Sequence, residues 1–354
     1  MRLERFLLIA TLSVSGLPVA ALGAPLYSEM IVFGDSVSDT GNVHIASTAL
    51  GQLPDPGFDG RLSNGPIWVD RLAARLGLAS PSPSLTGGTN YAYAGAKTGT
   101  EPRNRTSVLT REVLPIPNTG TQINTYLGEH PAGFRNDQLV VLWGGANNLV
   151  ETRTAADTQR VVDDLEAELV ALNASGAGDV LVPNQIDQAD APIFNRTQGP
   201  AAQMAEVNRL FNTQLDAMLD DLDGNPDLNI TIHRFDAFSL IKDVIADPGE
   251  FGLSNVTDAA LDLALIKPPF AQPYPVVDDP ENYLFWDYVH PTTVGHQIIG
   301  DAAFDVLAKD ATQVPEPPSL ALVIIGIAVS IWQQSTQRRR MKGLCLLHGN
   351  PRSI

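Results

Sequence analysis

Strand-like and helix-like hydrophobic patterns alternate along the chain from Met30 to Phe238. The branched and aromatic run Ile31 to Phe33 stops at Gly34-Asp35-Ser36 and gives way to small, polar, turn-forming residues through Asn42. This predicts a buried strand and a tight turn, with Ser38 or Asp39 available to cap a helix. Apolar positions at helical spacing predict a helix over Ile67 to Leu76, and TNYAYAGA from Thr89 reads as extended. QLVVLWGG from Gln138 predicts a strongly buried strand. Arg153 to Gly176 predicts a helix with a glycine stop, and GDVLVPN from Gly178 another strand. A long amphipathic helix follows over Gly199 to Leu222, and NITIHRFDAF from Asn229 is the last strand of the series. Alternating strands and helices predict a parallel sheet with helices on both faces, a three-layer α/β/α architecture.

The two ends break this pattern. Residues 1–23 carry Arg2 and Arg5, then an apolar run to Leu22 with small residues at Ala21 and Gly23, the pattern of a secretory signal cleaved before Ala24. After Asp310 come a proline-rich break, a charge-free stretch from Pro317 to Gln337, and the basic group Arg338, Arg339, Arg340 and Lys342. The apolar part is short for a spanning helix, yet the basic group would hold its C-terminus on the cytoplasmic side. Val314-Pro315-Glu316-Pro317, an apolar segment and an arginine cluster together resemble a PEP-CTERM sorting signal. That resemblance implies an exosortase-type processing protease as a partner. The expected organisation is a signal at 1–23, one catalytic domain at 24–310, and a linker, membrane segment and basic tail at 311–354. The expected location is the periplasm or the cell surface, with anchoring through the C-terminal segment before processing.

Charge and cysteine content narrow the function. Without the two end segments, 16 of the 23 Lys and Arg and 38 of the 40 Asp and Glu remain, a net charge of −22. Such a domain repels polyanions, so nucleic acid is not an expected partner. The single Cys345 lies beyond the apolar segment, leaving no disulfide or thiolate metal site before it. No His-Glu-x-x-His pattern is present either, so neither a metal nor another cofactor is expected.

The chemistry gathers where strands end. Ser36 follows the first strand, Gly95 the extended segment, and Asn147 the strand ending in VVLW. Ligands of open α/β sheets bind at the carboxyl ends of strands. Farther on, Asp287 stands three residues before His290, and Pro291 keeps that histidine out of a regular helix. An acid at that spacing reaches the imidazole Nδ1 and leaves Nε2 facing outward, as a serine base requires. His44, His130 and His233 lack such a setting and read as surface or structural residues, and His296 as part of a helix start.

These blocks together resemble the GDSL or SGNH hydrolases, in their lipase/acylhydrolase branch. Gly34-Asp35-Ser36 with Ser38-Asp39-Thr40-Gly41-Asn42 matches the nucleophile block, Gly95 the glycine block, Asn147 the asparagine block, and Asp287 with His290 the terminal block. The resemblance covers most of residues 28–305 and implies a flavodoxin-like parallel sheet. In agreement, the Gly-x-Ser-x-Gly elbow of α/β-hydrolases is absent. It further implies Ser36 as nucleophile, His290 as base, Asp287 as its orienting acid, and the Ser36 and Gly95 amides with the Asn147 side chain as oxyanion hole. Asn148 departs from the aspartate that the family has there, a position of local support. The implied activity is carboxylic ester hydrolysis, with acyl transfer to alcohols open, on a lipid, a short acyl ester or an acetylated glycan. The rival reading is an inactive, surface-attached binding protein on the same fold. The segment Phe251 to Tyr283 is expected to cover the cleft.

Overall fold

A computed structural model describes residues 26–52, 56–106, 113–195, 198–266 and 274–313. The expected signal at 1–23, the apolar segment Pro318 to Trp332 and the arginines at 338–340 lie outside them. Among the described residues no helix is long and apolar enough to cross a membrane. In chain order the elements are β1 (Glu29–Gly34), α1 (Asn42–Ala49), α2 (Trp68–Leu76), β2 (Arg103–Thr106), β3 (Val113–Ile116), α3 (Thr119–Glu129), β4 (Gln138–Trp143), α4 (Ala146–Leu149) and α5 (Ala155–Ala174). They continue with β5 (Asp179–Pro183), α6 (Pro192–Asn195), α7 (Gln198–Asp223), β6 (Thr231–Phe235), α8 (Ala237–Ala246), β7 (Asn255–Ala259), β8 (Tyr283–Phe285) and α9 (Thr293–Gln313). The described residues up to Phe304 form one compact unit, and the described part of the remainder completes α9.

The central sheet has the order β1-β4-β5-β6 and is parallel throughout, as the alternating pattern predicts. The Thr89 segment lies along the free side of β1. Tyr91 N donates to Val32 O at 2.7 Å and Tyr93 N to Gly34 O at 3.2 Å, so its extended backbone prolongs the sheet without being a regular strand. Side chains alternate across a strand. Ile31, Phe33, Val140, Leu142, Val180 and Val182 therefore enter one core with apolar residues of α3, α5 and α7. Trp143 points the other way and packs edge-on to Trp68 of α2, with ring centres 5.1 Å apart. Helices thus cover both faces and β4 is buried from end to end, the three-layer α/β/α fold expected.

Local chemistry sets several boundaries. The Thr154 side chain accepts from Asp157 N and Asp157 returns the favour to Thr154 N, a capping box that starts α5; Gly176, at φ 89°, follows its end. Asp39, not Ser38, serves α1: its carboxylate accepts from Gly41 N (2.7 Å), Asn42 N (2.6 Å) and Val43 N (3.2 Å). Ser38 Oγ instead accepts from the Trp68 indole at 3.1 Å. The β2–β3 antiparallel pair and the β7–β8 parallel pair carry no periodic apolar signal and were not expected.

One carboxyl is enclosed on the buried face of α5. Glu168 Oε1 accepts from Thr119 Oγ1 at 2.6 Å and Gly99 N at 2.7 Å, while its buried Oε2 has no partner. Burial pushes this carboxyl from 4.5 up to about 8, against those hydrogen bonds. Between those values the folded chain holds a proton that the unfolded chain releases, so this group's contribution to stability declines as pH rises through the window. Glu168→Gln stays neutral and is expected to escape the decline. Its urea midpoint relative to the wild type should therefore shift upward between pH 5 and pH 9; an unchanging difference would refute the assignment.

Candidate active site

The turn that carries Ser36 is fixed from both sides. Gln122 of α3 clamps Gly34 with two bonds of 2.9 Å, its Oε1 accepting from Gly34 N and its Nε2 donating to Gly34 O. A Cβ on Gly34 would lie 2.7 Å from the Trp143 carbonyl oxygen, so only glycine permits this approach of β1 to β4. Beyond it, Asp35 Oδ1 accepts from Val37 N at 3.1 Å, and Asp35 O accepts from Ser38 N and Asp39 N. The chain is bent sharply around Ser36, leaving its side chain half-buried on the carboxyl edge of the sheet.

Neighbouring strands deliver the other predicted residues beside it. Adjacent strands lie about 4.8 Å apart, and β1 sits between the Thr89 segment and β4, which lead to Gly95 and Asn147 respectively. Gly95 has φ 87°, a conformation that suits glycine. Its carbonyl accepts from Arg103 Nε at 2.6 Å, while Arg105 packs 3.0 Å from where a Cβ would stand. Among the described residues the N–H groups of Ser36 and Gly95 donate to no protein acceptor. Asn147 Nδ2 donates to Ala96 O at 2.9 Å and makes a long contact of 3.4 Å with Asp35 Oδ2. Asn148 supplies the local support expected of its position: its Oδ1 accepts from Thr98 N at 3.1 Å and its Nδ2 donates to Thr98 Oγ1 at 3.2 Å. Thr98 Oγ1 passes the chain of bonds on to Asp164 at 2.8 Å. A neutral amide at 148 avoids adding a third carboxylate beside Asp164 and Glu168.

Asp287 and His290 sit on the loop between β8 and α9. The loop is closed on itself by Trp286 N to His290 O at 2.7 Å and Thr292 N to Leu284 O at 2.8 Å. Ser63 Oγ ties it to the rest of the unit by donating to Pro291 O at 3.0 Å. Asp287 Oδ2 meets His290 Nδ1 at 2.8 Å, and Asp287 Oδ1 also accepts from His290 N at 2.8 Å. This leaves Nε2 as the outward nitrogen, as predicted from the Asp-x-x-His spacing. Val289 and Pro291, on either side of His290, line the same cavity as Ser36 and Asn147. Among the described residues the Ser36 hydroxyl makes no hydrogen bond.

Electrostatics follow from the burial of three ionisable groups together. Burial raises the Asp35 carboxyl to about 6, opposed by the Val37 N–H and the His290 charge. Burial alone would lower His290, but the charge and hydrogen bond of Asp287 outweigh it and the imidazole value is raised; Asp35 adds to this and Arg105 opposes it. Asp287, whose burial would raise it, is held below the ordinary carboxylate value by His290. His296, enclosed in α9, is driven down to about 3 by burial and then by the His290 charge, and so stays neutral. His233 bonds Asp179 at 2.8 Å in the sheet, a structural role. Among the described residues no cluster of ligating groups could hold a metal ion.

Some functional residues were not read from the sequence. The cavity wall comes from the loop after β5, through Ile186 and Phe194, and from Ile241 of α8. The described part of Phe251 to Tyr283, expected to cover the cleft, does not line it. Ala260, Leu261 and Ile266 of that segment instead pack with Trp286 in a separate apolar cluster. Gln122 also escaped notice, since a lone glutamine on a helix carries no signal of a backbone clamp 88 residues away.

A parallel sheet with a serine, two unengaged amides, an asparagine and an Asp–His pair along its carboxyl edge has the parts of a nucleophilic acyl-transfer site. The family model GDSL-like Lipase/Acylhydrolase matches residues 30–303, and the chain belongs to that family. Members of this family are esterases and lipases. The chain is 26% identical over 325 residues to the phosphatidylcholine-sterol acyltransferase of Aeromonas hydrophila, covering 80% of this chain and 91% of that protein. It is 25% identical over 319 residues to a GDSL esterase/lipase of Arabidopsis thaliana, covering 77% of this chain and 84% of the relative. Among solved structures, a member of the lipolytic G-D-S-L family from Veillonella parvula aligns with a TM-score of 0.42 at 15% identity, over 79% of this chain and 98% of that one.

The raised His290 value has a direct readout. An NMR titration of its ring is expected to show a midpoint above the ordinary 6.5, and Asp287→Asn, which keeps the burial and removes the charge, should bring the midpoint below 6.5. A midpoint unmoved by Asp287→Asn would disprove the coupling.

Proposed function

We propose that the chain is an exported serine carboxylic ester hydrolase working through an acyl-enzyme on Ser36. The observation that carries this reading is the placement of Ser36 and Asn147 in the wall of one cavity, with the unengaged N–H groups of Ser36 and Gly95 and the Asp287–His290 pair on the adjoining segments. Ser36 Oγ attacks the ester carbonyl carbon while His290 Nε2 takes the hydroxyl proton. The carbonyl oxygen becomes an oxyanion facing the N–H groups of Ser36 and Gly95 and Asn147 Nδ2. Collapse breaks the bond to the alcohol oxygen, which leaves with the proton from His290. Water then adds to the acyl-enzyme, giving a proton to His290, and the acid departs as Ser36 recovers its hydrogen. An alcohol in place of water gives a new ester by the same steps. Throughout, Asp287 holds the ring orientation and stabilises the imidazolium. The long 3.4 Å contact of Asn147 with Asp35 is cheaply exchanged for the oxyanion.

Two substitutions test the mechanism. Folded Ser36→Ala is expected to lose nearly all ester turnover and all labelling by a fluorophosphonate. Asn147→Ala should keep the label while kcat falls by about 10² to 10³ with little change in KM. A wild-type chain that takes no label would leave the inactive binding protein as the correct reading.

The address is proposed from sequence alone. The signal at 1–23 exports the chain, the segment from Pro318 to Trp332 halts it, and the arginines at 338–340 stay on the cytoplasmic side until an exosortase-type protease cuts near Pro315. Peptide mapping of the protein recovered from its native host is expected to find a first residue at Ala24, a C-terminal peptide ending close to Pro315, and no peptide from Met341 onward. Recovery of the intact tail would leave a simple membrane anchor instead.

A further inference from the structure

We infer that the cavity beside Ser36 is an acyl pocket of short, fixed reach, taking acyl chains of about four to eight carbons and excluding long fatty-acyl chains. The inference rests on Ser36 being the nucleophile, and it concerns which esters that serine can turn over.

The cavity runs along the carboxyl edge of the sheet. It starts at Ser36 after β1, passes Asn147 and Val150 after β4 and Ile186 after β5, and reaches Ile241 of α8 after β6, with Phe194 and Val289 also in its wall. Ile241, the wall residue from the last element in this order, is almost fully buried. The wall is chiefly apolar, so it favours a hydrocarbon over an acetylated sugar.

Its volume is about 180 Å³. An apolar cavity of about 150 Å³ accommodates benzene, roughly 25 Å³ per carbon, so this one holds about seven carbons, whereas a sixteen-carbon chain would require about 400 Å³.

The wall is also cross-tied, which opposes widening. Gln185 Nε2 donates to Gly144 O at 2.7 Å and Gln188 Nε2 to Ala146 O at 3.2 Å, joining the loop after β5 to the turn after β4. Lys242 Nζ lies 2.7 Å from both Asp187 and Asp190 and joins the same loop to α8. Ile193 N donates to Tyr288 O at 3.0 Å, fastening α6 to the loop that carries His290. The loop after β5 is therefore bonded to the turn after β4 and to α8, and α6 to the loop that carries His290.

The experiment uses the full chain and p-nitrophenyl esters from acetate to palmitate, with fluorophosphonate labelling of Ser36 measured separately. The expected profile of kcat/KM peaks between butanoate and octanoate and falls by about 100-fold or more at palmitate. Phe194→Ala, which removes a half-buried wall residue, should move the peak to longer chains by two or more carbons. Ile241→Ala should do the same at the far end; since loss of a buried residue can unfold the chain, the Phe194 variant decides the matter by itself. A labelled enzyme whose rate is level or rising out to palmitate, or whose peak is unmoved by folded Phe194→Ala, overturns the pocket assignment. A wild-type chain with neither label nor turnover on any ester overturns the serine mechanism and the pocket with it.

Discussion

The parallel pairing of β1 with β4 is the constraint on which the rest of the molecule depends. It places Gly34 opposite Trp143 so closely that a side chain on Gly34 would strike the Trp143 carbonyl, and it brings the two strand ends out at the same level. Once β1 is held there, with Gln122 bonded to both backbone groups of Gly34, the turn beyond it has one direction in which to leave the sheet. Ser36 occupies that turn. The residues flanking it are then whatever the two neighbouring strands deliver, Gly95 on one side and Asn147 on the other. A half-buried serine with unengaged amides follows from sheet geometry before any catalytic consideration enters.

Electrostatics refine that arrangement. The chain is strongly acidic, at −17 overall, and two of its buried carboxyls, Asp35 and Asp287, act on one imidazole. Asp287 touches the ring and dominates; Asp35 acts by charge alone and is itself raised by burial. The bonds from Asn148 to Thr98 and on to Asp164, with Glu168 holding Thr119 and Gly99, tie the loop after Gly95 to α4 and α5. Buried polar networks of this kind rigidify when their members are satisfied. Gly95, at φ 87°, lies three residues before Thr98, and Arg105 packs against it.

The proposed reacting groups and the proposed acyl pocket occupy different parts of the same sheet edge. Ser36, Gly95 and Asn147 follow β1 and its immediate neighbours, whereas the cavity extends toward β5 and β6, where its wall includes the loop after β5, Phe194 of α6 and Ile241 of α8. The β7–β8 pair leads into the Asp287–His290 loop; Leu284 and Phe285 of β8 line the cavity, and Trp286 just beyond it packs in a separate apolar cluster.

The one-dimensional pattern was sufficient for the alternating strands and helices and for the buried character of β4, and it singled out Ser36, Gly95, Asn147, Asp287 and His290 as the candidate set. Those features are local: an apolar run ending in glycine, a turn, and an acid three residues from a histidine each express short-range physics. What tertiary structure alone decided is which residues meet across long separations. Gln122 clamping Gly34, Trp68 donating to Ser38, and Arg105 packing on Gly95 leave no mark on periodicity, because each is a single polar or aromatic residue in an ordinary setting. The cleft wall is the clearest case. Phe251 to Tyr283 has the composition of a lid, but in its described part Ala260, Leu261 and Ile266 pack with Trp286, and the cavity is lined instead by residues that the strand order β1-β4-β5-β6 brings to one edge. Composition identifies apolar residues that must be buried; the strand order determines against what.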